Sequence, residues 1–179
     1  YWLHGIRCGW VHAFLGGPPC CTWSKARAVD LDDGGNGRPG RFGPRPVRSA
    51  QDLWGLTSLG LREIDQVIDG NVLLGFCLLA LGELALQARA GILEHPAEPD
   101  DESMPSIWKL PIVQVLLGLP GMQRLCLSQG LLGADSMKPT ELLSLNLPTL
   151  PVGFWARCCG SDSKTLDKTR ERFAVHFCC

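Results

Sequence analysis

A short apolar segment that stops abruptly at two glycines and two prolines constrains this chain most. Residues 9–15, GWVHAFL, are followed at once by residues 16–20, GGPPC. A brief apolar run that is cut off by Gly and Pro is typical of a buried strand entering a tight turn. Two successive prolines fix the backbone and hold the next side chain at the strand's carboxyl end. In an open α/β sheet, that edge is where ligands bind.

The rest of the chain has the composition of a globular domain. Its 179 residues are 45% hydrophobic and 20% charged, with 17 basic and 18 acidic residues. This excludes wholesale disorder, and the near-zero net charge excludes a protein covered with nucleic-acid-binding charge, although a local basic groove stays open. The longest apolar stretch, residues 72–82, is about half as long as a bilayer span requires. We therefore predict no membrane segment.

The nine cysteines favour a reducing compartment and no metal. Three pairs are adjacent in sequence: Cys20-Cys21, Cys158-Cys159 and Cys178-Cys179. No C-x-x-C motif is present, so tetrahedral zinc is poorly supported. An odd number of cysteines without a secretion signal favours an intracellular protein. Because the sequence starts at Tyr1 rather than at Met, we expect a chain that is incomplete at its amino end.

Hydrophobic spacing predicts strands alternating with helices. The predicted helices cover residues 49–68, 72–90, 106–117 and 153–158, with a break at Gly70-Asn71. The predicted strands after the first cover residues 92–94, 123–127 and 140–147. Residues 30–46, rich in Gly and Pro, are predicted to form a mobile loop. The order favours an α/β layered domain with a mainly parallel sheet flanked by helices.

Cys20 is the first candidate for chemistry. Lys25 and Arg27 follow it closely, and cations near a thiol favour the thiolate, so Cys20 could act as a nucleophile. A free cysteine that packs as a small hydrophobe is an equally good interpretation. Cys20 with His95 could also form a cysteine-hydrolase dyad, but no orienting third residue and no oxyanion donors are identifiable.

Glu94, in Glu94-His95-Pro96 at the end of another predicted strand, is the second candidate. A carboxylate at that position could bind or protonate a substrate, or it could be a solvated turn residue, since several acids follow within 98–102. Two further groups could assist. The loop arginines, which could contact phosphates or simply be solvated, are Arg38, Arg41, Arg45 and Arg48. Trp108 could form an aromatic wall for a base or belong to the core.

Together the two strand-end motifs resemble the cytosine-5 DNA methyltransferases. In that family a Pro-Pro-Cys loop supplies the cysteine that attacks a flipped cytosine, and a Glu after the next strand holds the base. The resemblance implies that Cys20 is the nucleophile and Glu94 the base-binding acid. It also implies substrate-binding roles for these residues: Pro18, Pro19, Ser24, Arg27, Arg45 and His95.

An ordered set of shorter motifs resembles still more closely a methyltransferase-like domain of protist genomes that is often found near retroelements. The motifs occupy residues 17–27, 43–46, 70–71, 94–96, 106–108, 129–130 and 138–140. The resemblance implies a Rossmann-like methyltransferase fold whose first strand-helix units are missing. It divides the chain into a catalytic-core fragment, 1–160, and a divergent tail, 161–179.

The chain departs from the family pattern where the cofactor, S-adenosylmethionine, should bind. No Gly-rich strand-to-helix turn precedes Gly16, so the cofactor site is incomplete in this chain. The family's Gln-x-Arg-x-Arg strand is also absent, with Lys138-Pro139-Thr140 near its expected place. We predict a methyltransferase-like domain, or alternatively a non-catalytic nucleic-acid-binding or scaffold domain descended from such an enzyme. Either implies a nucleic-acid partner and an intracellular location, with the nucleus as one option; the oligomeric state is not predictable.

Overall fold

Three α-helices and four strands make up the described part of the chain, which covers residues 1–23, 44–132 and 138–147 of a computed structural model. The α-helices are α1 (Trp2–Arg7), α2 (Leu61–Leu86) and α3 (Pro111–Leu117). The strands are β1 (Ala13–Gly16), β2 (Ala90–Pro96), β3 (Met122–Ser128) and β4 (Pro139–Leu145). Short 3₁₀ turns, Ile107–Lys109 and Gln129–Leu132, precede α3 and follow β3.

The four strands form one mixed sheet in the order β1-β2-β4-β3. β1 and β2 are parallel, with Gly16 opposite Leu93, whereas β4 is antiparallel to both of its neighbours. The prediction of a mainly parallel sheet was therefore wrong. The physical reason lies in the connections: α2 carries the chain back across the sheet between β1 and β2, but the segment between β3 and β4 is short and returns the chain in the opposite direction.

The same topology gives β1, β2 and β3 a common direction, because β2 and β3 both run opposite to β4. The carboxyl ends of these three strands and the amino end of β4 consequently lie at one edge of the sheet. We call it the carboxyl edge.

Helix α2 is continuous over 26 residues, so the predicted break at Gly70-Asn71 was wrong. A glycine costs a helix only about 1 kcal/mol, which burial of the rest of the helix outweighs. The predicted start at Ser49 was also wrong. The Ser49 hydroxyl accepts the Asp52 N–H within a local turn, and α2 begins after Gly60, whose N–H donates to the Glu63 carboxylate.

By length and composition alone, α2 could cross a membrane; among the described residues it is the one helix that could. The uninterrupted apolar run 72–82, taken by itself, did not reveal this property. In this fold, one side of α2 packs against the sheet. The core side chains of that side are Leu74, Cys77, Leu78, Ala80, Leu81 and Leu84. Gly91 on β2 allows the close approach, since a Cβ there would lie 2.5 Å from Leu81 Cδ2.

The remaining elements agree with the sequence in kind but differ in their bounds. The strands predicted over 92–94, 123–127 and 140–147 are confirmed as β2, β3 and β4. The single helix predicted over 106–117 is divided, because Pro111 lacks the N–H that a helix interior needs and instead opens α3. Helix α1 was not predicted. The helix predicted over 153–158, the tail 161–179 and nearly all of the predicted loop lie outside the described residues.

Burial on α3 gives a matched test of the core. Val113 is fully buried and Val115 is 63% exposed on the same helix. We expect Val113→Ala to lower the free energy of unfolding by on the order of 2 kcal/mol, through lost burial and a cavity. The control Val115→Ala should change it by less than about 0.5 kcal/mol. Urea denaturation of both variants is the measurement; similar losses would contradict the described position of α3.

Candidate functional site

Four polar side chains from four different segments meet at the carboxyl edge. Cys20 follows β1, Glu94 lies near the end of β2, Gln129 follows β3, and Lys138 precedes β4. Their sequence positions are far apart, and they meet because three strands end at this edge and the fourth begins there. The site is thus a product of the sheet's strand directions.

Lys138 joins the two residues that the sequence singled out. Its Nζ donates to Glu94 Oε1 at 3.2 Å and lies 3.9 Å from Cys20 Sγ. Gln129 Nε2 donates to the same Glu94 oxygen at 3.2 Å. Because both Lys138 distances share one nitrogen, the Cys20 sulfur and Glu94 Oε1 are separated by at most their sum, about 7 Å. Cys20 and Glu94 therefore lie close together, while their chemical roles stay predictions.

The turn after β1 sets the position of Cys20. Pro18 is buried and Pro19 is exposed, and the Cys20 carbonyl accepts the Trp23 N–H at 2.9 Å. The preceding backbone passes close to Glu94, since a Cβ on Gly17 would lie 3.7 Å from Glu94 Oε2. A Cβ at position 17 would therefore be in ordinary van der Waals contact with the carboxylate. The two prolines stiffen this approach, as the sequence predicted.

A cleft of about 350 Å³ opens beside the cluster, within the usual range for small-molecule sites. Cys20 and Lys138 line one part of it, and Trp23, His95 and Ser106 line another. Further lining residues are Pro96, Ala97, Glu98, Pro99, Asp100, Pro105 and Pro139. Glu94 does not line the cleft, but it accepts a hydrogen bond from Lys138, which does. The cleft therefore presents a thiol and an ammonium on one side and carboxylates, those of Glu98 and Asp100, elsewhere.

His95 and Trp23 are buried at this cleft with unused hydrogen-bonding groups. His95 is 1% exposed and Trp23 is 4% exposed, and their rings meet edge to face with centroids 5.9 Å apart. The two ring nitrogens of His95 and the indole nitrogen of Trp23 have no hydrogen-bond partner among the described residues. Such buried polar groups are costly, and they commonly mark a place where water or a ligand binds.

Burial lowers the pKa of His95 to about 3. The nearby positive charges of Lys138 and Arg48 also lower this pKa, and the Pro96 backbone raises it by a smaller amount than burial lowers it. His95 is therefore neutral at physiological pH and could offer a ligand one donor and one acceptor. No hydrogen bond joins His95 to Cys20, so the alternative of a cysteine-hydrolase dyad is not formed.

Of the arginines considered for substrate binding, the structure describes Arg45 and Arg48, and neither lines the cleft. Arg38 and Arg41 lie outside the described residues. Arg45 donates to the Glu63 carboxylate and to the Ser58 carbonyl at the start of α2. Arg48 is 2% exposed, and its guanidinium lies 4.1 Å from the Trp23 ring centroid, so it supports the cleft from behind rather than contacting phosphates. Ser24 and Arg27 lie outside the described residues.

Trp108 belongs to the core rather than to an aromatic wall. It is 1% exposed, and its indole N–H donates to the Pro96 carbonyl at 2.9 Å. Lys138 and Gln129 are the residues whose roles the sequence did not predict. Both stand next to strands at the carboxyl edge, and that position was the signal that could have identified them.

No protein-family model, curated protein or solved structure matches this chain. Within the described ranges, His, Cys, Asp and Glu side chains form no group of three that could hold a metal ion.

The depressed pKa of His95 predicts a pH-dependent stability. In the unfolded chain this imidazole gains a proton below about pH 6.5, whereas in the folded protein it stays neutral until about pH 3. The His95 contribution to the free energy of unfolding should therefore be fully present above about pH 6.5. It should fall by up to about 1.4 kcal/mol per pH unit as the pH is lowered from about 6.5 to about 3. His95→Phe should flatten this dependence in urea titrations, and the exposed-residue control His12→Gln should retain it. An unchanged slope in His95→Phe would contradict the described burial.

A further prediction concerns the alkylation rate of the Cys20 thiol. Cys20 lines the open cleft with the Lys138 ammonium 3.9 Å from its sulfur, so iodoacetamide should label it faster than Cys126, which is similarly half-buried but does not line the cleft. Cys77 should be slowest, because burial raises the pKa of its thiol. Lys138→Met should slow labelling of Cys20 severalfold and leave Cys126 unchanged, as followed by mass spectrometry. Equal labelling of Cys20 and Cys77 would leave the packing interpretation of Cys20 standing.

Proposed function

We propose that this chain is a nucleobase-binding domain of the cytosine-5 methyltransferase type, acting on nucleic acid. The observation that carries the proposal is the meeting of Cys20 and Glu94 at the carboxyl edge, with Lys138 between them. A thiol nucleophile and an acid that can hold a base are what the resemblance implies, and their sequence positions alone did not require them to meet.

The described residues support one chemical step, addition of the Cys20 thiol across the C5–C6 double bond of a cytosine placed in the cleft. The sulfur bonds to carbon 6, the π bond breaks, and carbon 5 takes up the proton that the thiol gives to water. Lys138 lies 3.9 Å from the sulfur. Glu94 accepts a hydrogen bond from the amino group of the base. Because Glu94 lies behind Lys138, the base reaches it when the flexible Lys138 side chain, which is 35% exposed, moves aside.

The described residues do not fit S-adenosylmethionine. They contain no Gly-rich strand-to-helix turn of the kind that holds this cofactor, since β1 is followed by the Pro-Pro-Cys turn. Methyl transfer is therefore not part of the proposed chemistry.

A non-catalytic binding domain descended from such an enzyme is the second candidate. One observation favours it: Glu94 is already satisfied by Lys138 and Gln129, as a retained structural cluster would be. In addition, Asp100 at the cleft repels phosphate, whereas the Glu98 carboxylate is paired with Arg124 at 2.8 Å. The Asp100 charge disfavours contact of a phosphate backbone with that part of the cleft.

A covalent trap distinguishes the two candidates. An oligonucleotide that carries 5-azacytosine in a mismatch offers a carbon 6 to which a thiolate adds, while the ring nitrogen at position 5 takes up a proton. We expect an adduct that survives denaturing electrophoresis, that disappears in Cys20→Ser and that persists in the control Cys21→Ser, the exposed neighbouring cysteine. The same assay on DNA and on RNA identifies the acceptor.

The other possible results of the covalent-trap assay also distinguish the candidates. Binding without an adduct would overturn the catalytic proposal and support the binding domain. Neither binding nor adduct would overturn both candidates. An adduct that persists in Cys20→Ser would show that another cysteine reacts and that the carboxyl edge is not the site.

A further inference from the structure

The outer surface of α2 carries a continuous apolar stripe that nothing in the described chain covers. Its apolar side chains are Leu61, Ile64, Ile68, Val72, Leu79 and Leu86, which are between 37% and 83% exposed. At 100° per residue they fall on one face, opposite the face that packs on the sheet. Gly75 lies on the same face, and Gly82 lies at its edge beside α3, where a Cβ would be 3.8 Å from Leu116 Cδ2. We call these eight positions the outer stripe.

A soluble helix normally buries one apolar face and exposes a polar one, so a second apolar face requires an explanation. Gly75 lies near the middle of the outer stripe, and a Cβ there would meet no atom within 4 Å. Its missing side chain therefore serves no contact within the fold. A flat, small position at the centre of an exposed apolar stripe allows another helix backbone to approach closely.

We propose that the outer stripe binds a second copy of this chain, with the two α2 helices antiparallel and crossing at Gly75. The spacing is self-complementary about that residue. Reversal of the helix places Ile68 opposite Gly82 and Ile64 opposite Leu86, and it brings Val72 beside Leu79. Between Ile64 and Leu86, large residues thus face small or matching ones, as an isologous two-fold interface requires, while Leu61 lies beyond the end of the reversed helix.

The available area is sufficient for a dimer. Each exposed Leu, Ile or Val of the stripe presents on the order of 100 Å², so two copies would remove roughly 1,200 Å² from water. That value lies at the lower end of stable, specific protein interfaces. The dimer should therefore dissociate on dilution.

Charges beside the outer stripe fit the antiparallel arrangement through Arg7. Glu83 lies 18 residues, five helical turns, after Asp65 and therefore on the same flank, and Arg7, whose side chain is 64% exposed, pairs with Glu83. In the antiparallel pair, this Glu83 would lie beside the acidic Asp65 end of the reversed helix. The Arg7 guanidinium between them would offset the repulsion of the two carboxylates.

Sedimentation of the full chain over a range of concentrations tests the proposal. We expect a monomer–dimer equilibrium in the wild type. Gly75→Leu should shift it to monomer and leave the circular dichroism unchanged, because the added side chain points into open space in the monomer. Arg62→Leu, on α2 but off the outer stripe, is the control and should remain dimeric. A wild type that is monomeric at all concentrations, or a Gly75→Leu variant that still dimerises, would overturn the proposal.

Crosslinking tests the direction of the helices. Under mild oxidation, Gly75→Cys should form more disulfide-linked dimer than the wild type, which gives the background from its own nine cysteines. Leu61→Cys should not exceed this background, because the two positions would be roughly 40 Å apart in antiparallel helices. Efficient crosslinking at position 61 would show parallel helices instead. Flotation of the chain with phospholipid vesicles would show that the stripe meets lipid and would also overturn the proposal.

Discussion

The parallel pairing of β1 with β2 requires the chain to cross the sheet between them, and α2 makes that crossing. Gly91 is essential to the packing, because a side chain on β2 at that point would collide with Leu81 on α2. The buried face of α2 then supplies much of the core. Since two parallel strands end at the same edge, the crossover also decides that the residues after β1 and β2 become neighbours in space.

The cluster and the cleft differ in how their polar groups are satisfied. Glu94 is neutralised by Lys138 and accepts a hydrogen bond from Gln129, so that part of the site is complete in the described protein. His95 and Trp23 are nearly inaccessible and leave three nitrogens without partners in the described residues. The energetic cost of burying unpaired polar groups therefore falls at the cleft rather than at the cluster. A ligand or water that hydrogen-bonded to these nitrogens would stabilise the fold.

Local patterns predicted the elements better than their arrangement. The short apolar segments of β2 and β4 and the Pro-Pro turn before Cys20 act over a few residues, and the strands they predict are present. The continuity of α2 through Gly70 depends on burial of the residues around it, which no local signal records. Arg48 was interpreted as a solvated or phosphate-binding loop residue, yet it is buried against Trp23 because Thr22 and Asn71 accept its hydrogen bonds.

The sequence alone determined that Cys20 follows a strand and that Glu94 lies near the end of one, because glycines and prolines stop a strand through backbone sterics that any fold must obey. Only the tertiary structure decided that β4 runs opposite to its neighbours. That reversal brings Lys138, at the start of β4, to the edge where β1 and β2 end. Contacts between residues so distant along the chain depend on strand direction and register. These follow from the packing of the whole sheet, and no short segment encodes them.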